Sequence, residues 1–317
     1  MKRALLVGID HYEKVSPLAG CVNDVVALEP LISRHDDESP NFECMAAVSS
    51  QQRVDRGLLL ENIDSLLAPG VDVALLYFAG HGMEERGDVV LVTQEAARAN
   101  EGVAFSMLLG KIQSSPIREI IVILDCCFSG GAGGVPALGG NVAALREGLA
   151  LFSASRADQV AAESENARGL FSTLFCGALE GGAADVLGNV SLAGTYAYLS
   201  ESFGSWGQRP TFKANLERSS VLRTSRSAVA RKELRQLAAI FRDPELELPL
   251  TPAYESSSPD HDPKLAPVMS ILQRCRSARL IEAVRTEHLY YAAMESKACR
   301  LTPLGKHYWR MAKQNRL

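Results

Sequence analysis

The stretch that most constrains this chain is residues 120–130, I-I-V-I-L-D-C-C-F-S-G. An unbroken aliphatic run ends abruptly in an acid, two thiols and a glycine. An all-apolar strand of this kind is buried on both faces, as the central strands of a parallel sheet are. In open α/β sheets the carboxyl ends of such strands form the ligand-binding edge. A second run, V-A-L-L-Y-F-A over residues 73–79, ends in Gly80-His81-Gly82. Two predicted strands thus carry a histidine and a cysteine pair to one edge.

The 317 residues, 47% hydrophobic and 22% charged, suit one large globular domain with a smaller one. No apolar run reaches the roughly 20 residues that span a bilayer. The first predicted strand begins at Arg3, which leaves no room for a leader, so a cytoplasmic location and no membrane partner are expected. Seven cysteines without framework spacing and without a C-x-x-C pair argue against a disulfide scaffold and a zinc ribbon. Residues 1–223 carry 17 Lys+Arg against 27 Asp+Glu, net −10, whereas 224–317 carry 16 against 10, net +6. The basic residues of the second part are scattered, which disfavours nucleic acid as a partner.

In chain order, residues 3–9 read as a strand, and Asn23 or Asp24 as the cap of a helix ending near Ser33. A strand over 42–48, a helix over 53–68 and the His81 strand follow. Residues 84–93 read as a hairpin turning at Arg86-Gly87, and a short helix over 105–113 precedes the cysteine strand. Residues 130–140 hold six glycines and are expected to be mobile. A strand over 148–153, helices over 170–179 and 192–203, and a short strand over 211–215 complete a βα alternation with a doubly wound sheet. Residues 224–317 read as a separate α-rich module, with a winged-helix-like arrangement as one reading; in it Thr302 and Pro303 start a last helix.

A thiol becomes a nucleophile when a neighbouring base takes its proton. His81 is the candidate base, and its flanking glycines let backbone approach a substrate closely. The N–H groups of Gly82 and of the nucleophilic cysteine are the candidate oxyanion donors. His11 and His35 read as loop or surface residues. His288 and His307, with Cys275 or Cys299, are a weak metal-ligand set, and no metal or other cofactor is expected.

The motifs Y-F-A-G-H-G and, 46 residues from histidine to second cysteine, D-C-C-F-S-G resemble those of caspase-like cysteine peptidases. The likeness is greatest to the metacaspase and bacterial caspase-homologue branch. It covers roughly residues 1–220 and includes L-L-V-G-I-D, L-x-G-C-x-N-D, L-F-S-A-S-R-A-D-Q-V-A and Q-R-P-T-F-K. The resemblance implies a caspase-like three-layer α/β sandwich with a mostly parallel central sheet over 1–223, followed by the small 224–317 module. It implies a His81–Cys127 dyad. Strand alternation agrees with Cys127, since Cys126 then faces the core.

The same resemblance assigns Asp24, Asp125 and Cys21 to a pocket for a substrate arginine or lysine, a chemistry that paired carboxylates suit. The implied partners are protein or peptide substrates with Arg at the cleaved position, and an upstream activating protease. Arg146, Arg156 and Arg168 are candidate processing sites after the catalytic strand, with Arg146 preferred. No acidic cluster after Cys127 matches a calcium site. Bacterial caspase homologues often serve in defence or regulated cell death, which makes the C-terminal module a docking or inhibitory element. The alternative is a catalytically silent caspase-like scaffold that recruits partners through that module, or a DNA-binding regulator that uses it.

Overall fold

The computed structural model describes residues 1–85, 88–98, 101–128, 145–154, 168–203, 210–217 and 220–317, with backbone only at 84, 85, 127 and 128. The glycine-rich stretch over 130–140 and Arg156 lie outside the described residues. The chain forms two compact units, residues 1–184 with 189–225, and residues 185–188 with 226–317.

The first unit is built on an α/β sheet. Its strands are β1 (Lys2–Gly8), β2 (Glu43–Val48), β3 (Val73–Glu85), β4 (Asp88–Val92), β5 (Gly102–Ala104), β6 (Glu119–Phe128), β7 (Leu149–Ser153) and, after β8 (Asn189–Ser191), β9 (Thr211–Asn215). The order is β2-β1-β3-β6-β7-β9; the first five are parallel and β9 runs antiparallel to β7. β8 pairs separately with β10 (Val221–Thr224).

Helices cover both faces. α2 (Arg56–Leu66) and α3 (Phe105–Ser114) bring Leu59, Ile63, Leu66, Leu108 and Ile112 onto one face. α1 (Cys21–Ser33), α4 (Leu170–Gly177) and α5 (Leu192–Ser202) bring Val25, Leu28, Phe171, Phe175 and Leu199 onto the other. The period of two sorts the strand side chains. Ile120, Val122, Leu124 and Cys126 of β6 join the α2–α3 core; Ile121 and Ile123 join the α1–α4 core. Each large aliphatic side chain taken fully from water contributes about 1.5–3 kcal/mol, and β1, β3 and β6 bury theirs on both faces.

Two expectations about elements change. Neither Asn23 nor Asp24 caps α1: the cap position is Gly20, in a left-handed conformation at φ 110°. The first amides of α1 are instead satisfied from a distance, since Cys21 and Val22 N–H donate to the Asp10 carboxylate at 2.8 and 3.2 Å. That releases Asp24 to point inward. The His81 strand also does not end at its histidine. β3 continues to Glu85 and folds back on β4, with Gly82 opposite Leu91 and Glu85 opposite Asp88.

The second unit has its own apolar core, with Leu234, Leu237, Leu272, Leu280 and Cys299 fully buried. It contains α6 (Arg231–Ile240), β11 (Leu248–Pro249), α7 (Ala266–Ser277), β12 (Ile281–Val284), α8 (Leu289–Met294), β13 (Ala298–Leu301) and α9 (Pro303–Lys313). The strands form an antiparallel sheet in the order β11-β13-β12. β12 and β13 are joined through α8, not by the hairpin that a wing would require. Thr302 caps α9 by accepting from Gly305 N–H at 3.1 Å. Burial pushes the thiols of Cys275 and Cys299 up to about 12, so both behave as core apolar groups.

Candidate active site

The parallel ladder between β3 and β6 sets the site. Its register pairs Ala79 with Asp125, Gly80 with Cys126, His81 with Cys127 and Gly82 with Phe128. Two residues 46 apart in sequence are thereby lateral neighbours in one sheet. Cys126 is 2% exposed and packs into the α2–α3 core.

One loop makes two contacts to the imidazole and one to the His81 backbone. His81 Nε2 lies 2.8 Å from the Ser16 carbonyl oxygen. A carbonyl only accepts, so Nε2 carries a hydrogen, and the neutral ring keeps its free lone pair on Nδ1. The His81 backbone N–H donates to the Tyr12 hydroxyl at 2.8 Å, and the Tyr12 ring lies 4.7 Å from the imidazole centroid. Burial keeps the Tyr12 phenol protonated. The glycine before the histidine is required here. A Cβ on Gly80 would stand 2.8 Å from the Tyr12 hydroxyl and 3.1 Å from the Phe78 ring. Tyr12 and Ser16 are functional candidates that sequence reasoning missed; both lie between the predicted strand over 3–9 and the first predicted helix.

Two buried acids, Asp125 on β6 and Asp24 on α1, interact with each other. Asp125, 5% exposed, accepts a 2.9 Å hydrogen bond from the Tyr77 hydroxyl. Asp24, 3% exposed, accepts from Gly169 N–H, at 3.1 Å to Oδ1 and 3.4 Å to Oδ2, and from the Ser172 hydroxyl. Burial and the negative charge of Asp125 push Asp24 up to about 6; Ser172, Gly169 and Arg168 oppose that rise. Cys21 is half-buried beside these acids, and burial together with the carboxylates of Asp10, Asp125 and Asp24 holds its thiol protonated. The residues singled out as a cation pocket therefore share one region of the α1–α4 face. Gly82, the candidate oxyanion donor, is buried in β3 beside Phe128.

Two of the three arginines considered as processing sites, Arg146 and Arg168, have structural partners. The Arg146 guanidinium donates to the carbonyl oxygens of Ile112 (2.8 Å), Ser115 (2.9 Å), Ile117 (2.6 Å) and its neighbour Glu147 (3.0 Å). It ties the carboxyl end of α3 to the segment leading into β6, adding a second donor to Ile112 O, which also accepts from Ser115 N–H at 3.2 Å. Arg168 Nε stands 3.6 Å from Asp24 Oδ1, and its terminal nitrogen reaches Ser172 O at 3.4 Å and Cys176 Sγ at 3.0 Å. His35 is also engaged, because its Nδ1 accepts from Thr224 N–H at 2.9 Å. Among the described residues no group of three or more His, Cys, Asp or Glu side chains is placed to hold a metal ion, and no helix is long and apolar enough to cross a membrane.

Comparison with known proteins agrees with this architecture. Metacaspase-1 of Schizosaccharomyces pombe is 27% identical over 154 residues, which is 43% of this chain and 35% of that protein. Metacaspase-5 of Trypanosoma brucei brucei is 28% identical over 145 residues, 40% of this chain and 28% of that protein. The matched stretch thus spans about a third of the length of these curated relatives. The family model for the caspase domain matches residues 1–242, which takes in the whole β3–β6 ladder and both acids. The chain belongs to the caspase-domain family of cysteine peptidases.

Proposed function

We propose that this chain is a cysteine endopeptidase that cleaves proteins and peptides after arginine, and after lysine less well, through a His81–Cys127 dyad. The observation that supports it most is the register of β3 on β6, which sets His81 opposite Cys127 with Asp125 two residues earlier on the same strand. His81 Nδ1 takes the thiol proton, since Nε2 is committed to the Ser16 carbonyl. The thiolate attacks the scissile carbonyl carbon, and the oxyanion is met by the N–H groups of Gly82 and Cys127. The imidazolium returns its proton to the leaving amine. Water, deprotonated by His81, then hydrolyses the thioester and restores the thiol.

Selectivity for a cationic side chain rests on Asp125 and Asp24, both nearly fully buried; Cys21 lines the same pocket. A guanidinium offers a planar fork of donors to carboxylates on either side, which an ammonium does not. Activation by a cut in the connector after β6 is part of this reading. Cleavage after Arg146 or Arg168 would disrupt the contacts each makes in the intact fold, and that weighs against both as processing sites.

The test is hydrolysis of fluorogenic peptides ending in Arg or Asp by wild type, Cys127→Ala and His81→Ala. The reading expects turnover of the Arg peptide, none of the Asp peptide, and losses of about 10³-fold or more in both variants. Equal rates for wild type and Cys127→Ala would falsify it and favour the silent-scaffold alternative.

A further inference from the structure

We propose that Arg168 is a positioning residue that sets the charge of the cation pocket: it is the resident counter-ion of Asp24, so a substrate side chain meets one net negative charge rather than two. The inference rests on the reading that Asp24 and Asp125 face a substrate cation. Its geometric basis is the convergence of the first turn of α4 on a single carboxylate. Gly169 N–H, the Ser172 hydroxyl and the Arg168 guanidinium all approach Asp24, which is 3% exposed. The guanidinium is anchored away from Asp24 as well, on Ser172 O and Cys176 Sγ, so it is held along α4 and does not reach into the site freely.

Charge balance gives this arrangement its meaning. Two carboxylates sharing a buried site repel, and one of them protonates unless a cation is near. A substrate arginine supplies a single positive charge. With Asp24, Asp125 and Arg168 in place, the empty pocket carries one net negative charge and the occupied pocket is neutral. Without Arg168, binding would leave a negative charge buried or require Asp24 to take a proton. Among the described residues, the other groups facing Asp24 do not change this count. Burial keeps Tyr77 of β3, Cys21 of α1 and Cys176 of α4 protonated and neutral. The Nε–Oδ1 separation of 3.6 Å is longer than a hydrogen bond, so the pair acts through charge more than through a directed contact.

The experiment uses the full chain and a fluorogenic Arg peptide, with kcat/KM measured from pH 6 to 9. The variants are Arg168→Gln, Arg168→Lys, Asp24→Asn and the double variant Asp24→Asn with Arg168→Gln. Arg168→Gln is expected to lower kcat/KM about fivefold at pH 6 and to recover nearly all of it near pH 8.5, as the ionisation of Asp24 moves up by about one unit. Arg168→Lys keeps the charge and should stay within about threefold of wild type. In the Asp24→Asn background, Arg168→Gln should add no pH shift.

An unchanged profile in Arg168→Gln overturns the proposal. So does a rise in kcat/KM, which would mean that the guanidinium competes with substrate. A thermal-unfolding cycle over wild type, Arg168→Gln, Asp24→Asn and the double variant reads the pair without reference to catalysis. Losses in Tm that are non-additive support it, and additive losses overturn it. An inactive wild type with a coupled cycle would sink the peptidase reading alone, so the two failures are distinguishable.

Discussion

The two ends of the central sheet treat charge in opposite ways. At the amino end, several charged groups meet backbone or a single opposite charge. Arg146 is spent on four carbonyls, Glu119 accepts from Ser220 N–H at 3.1 Å with both oxygens, and Lys2 Nζ donates to Val221 O at 2.6 Å. The N-terminal ammonium pairs with Asp72 at 2.7 Å. At the carboxyl end, like charges are gathered instead, and Arg168 offsets only one of them. Asp24 feels the field of Asp125, and both acids with Asp10 act on Cys21. Charges that are satisfied one by one tie strands to helices. Charges set against each other keep free energy available to a ligand of opposite sign, and such clustering marks functional sites.

This contrast is open to breakage. The largest effect is expected at the carboxyl end. Asp125→Asn should lower kcat/KM for an Arg peptide by about 10²–10³-fold, since losing one partner of a buried charged contact costs about 3–4 kcal/mol. Its Tm should move little; a variant that unfolds but keeps its specific activity would move Asp125 to the scaffold side.

Arg146→Ala should do the reverse. Removing the donor from the carbonyls of Ser115 and Ile117, and the second donor from Ile112, is expected to cost about 2–4 kcal/mol in urea unfolding, with activity per folded molecule unchanged. A fully stable but inactive Arg146→Ala would revive this residue as a processing site.

The third comparison is of pH. Asp24 titrates higher when folded than unfolded, so the native state holds its proton longer. Its contribution to stability is therefore fully present below the unfolded pKa near 3.8, is lost as pH rises towards about 6, and is flat above that. The loss amounts to about 3 kcal/mol for a shift of this size. Asp24→Asn should flatten the difference in unfolding free energy between pH 4 and 6; an unchanged slope would place Asp24 in a far more polar setting.

The smallest effect is steric. Gly80→Ala sets a methyl 2.8 Å from the Tyr12 hydroxyl, and should lower kcat about tenfold with KM steady. The double variant with Tyr12→Phe should recover part of that loss. Full activity in Gly80→Ala alone would show that Tyr12 does not steady the imidazole.

Much of the sheet was legible because its strands are buried on both faces. Residues 73–79 and 120–124 are apolar without interruption, and no amphipathic helix reads that way. The helix caps were less legible. Asp24 is a good cap by residue type, and only the spatial arrival of Asp10 at the start of α1 shows that the position is already served. The same limit hid Tyr12 and Ser16. Their contacts to His81 span 69 and 65 residues, and no local pattern encodes them. Arg146 and Arg168 read as cleavage sites because sequence shows an arginine near a loop but not the carbonyls or the carboxylate that hold it.

The continuation of β3 beyond His81 has a consequence for how activity is lost. The base is not mounted on a loose tip; it sits within a ladder that runs from Val73 to Glu85, bonded to β6 and turned back onto β4. The β3 amides bonded to neighbouring strands should then exchange in the slowest class in the protein, while the His81 amide, held by the Tyr12 hydroxyl, exchanges faster. Heating should abolish peptide hydrolysis and near-ultraviolet circular dichroism together, in one cooperative step, with no earlier temperature at which the fold survives and the imidazole has drifted.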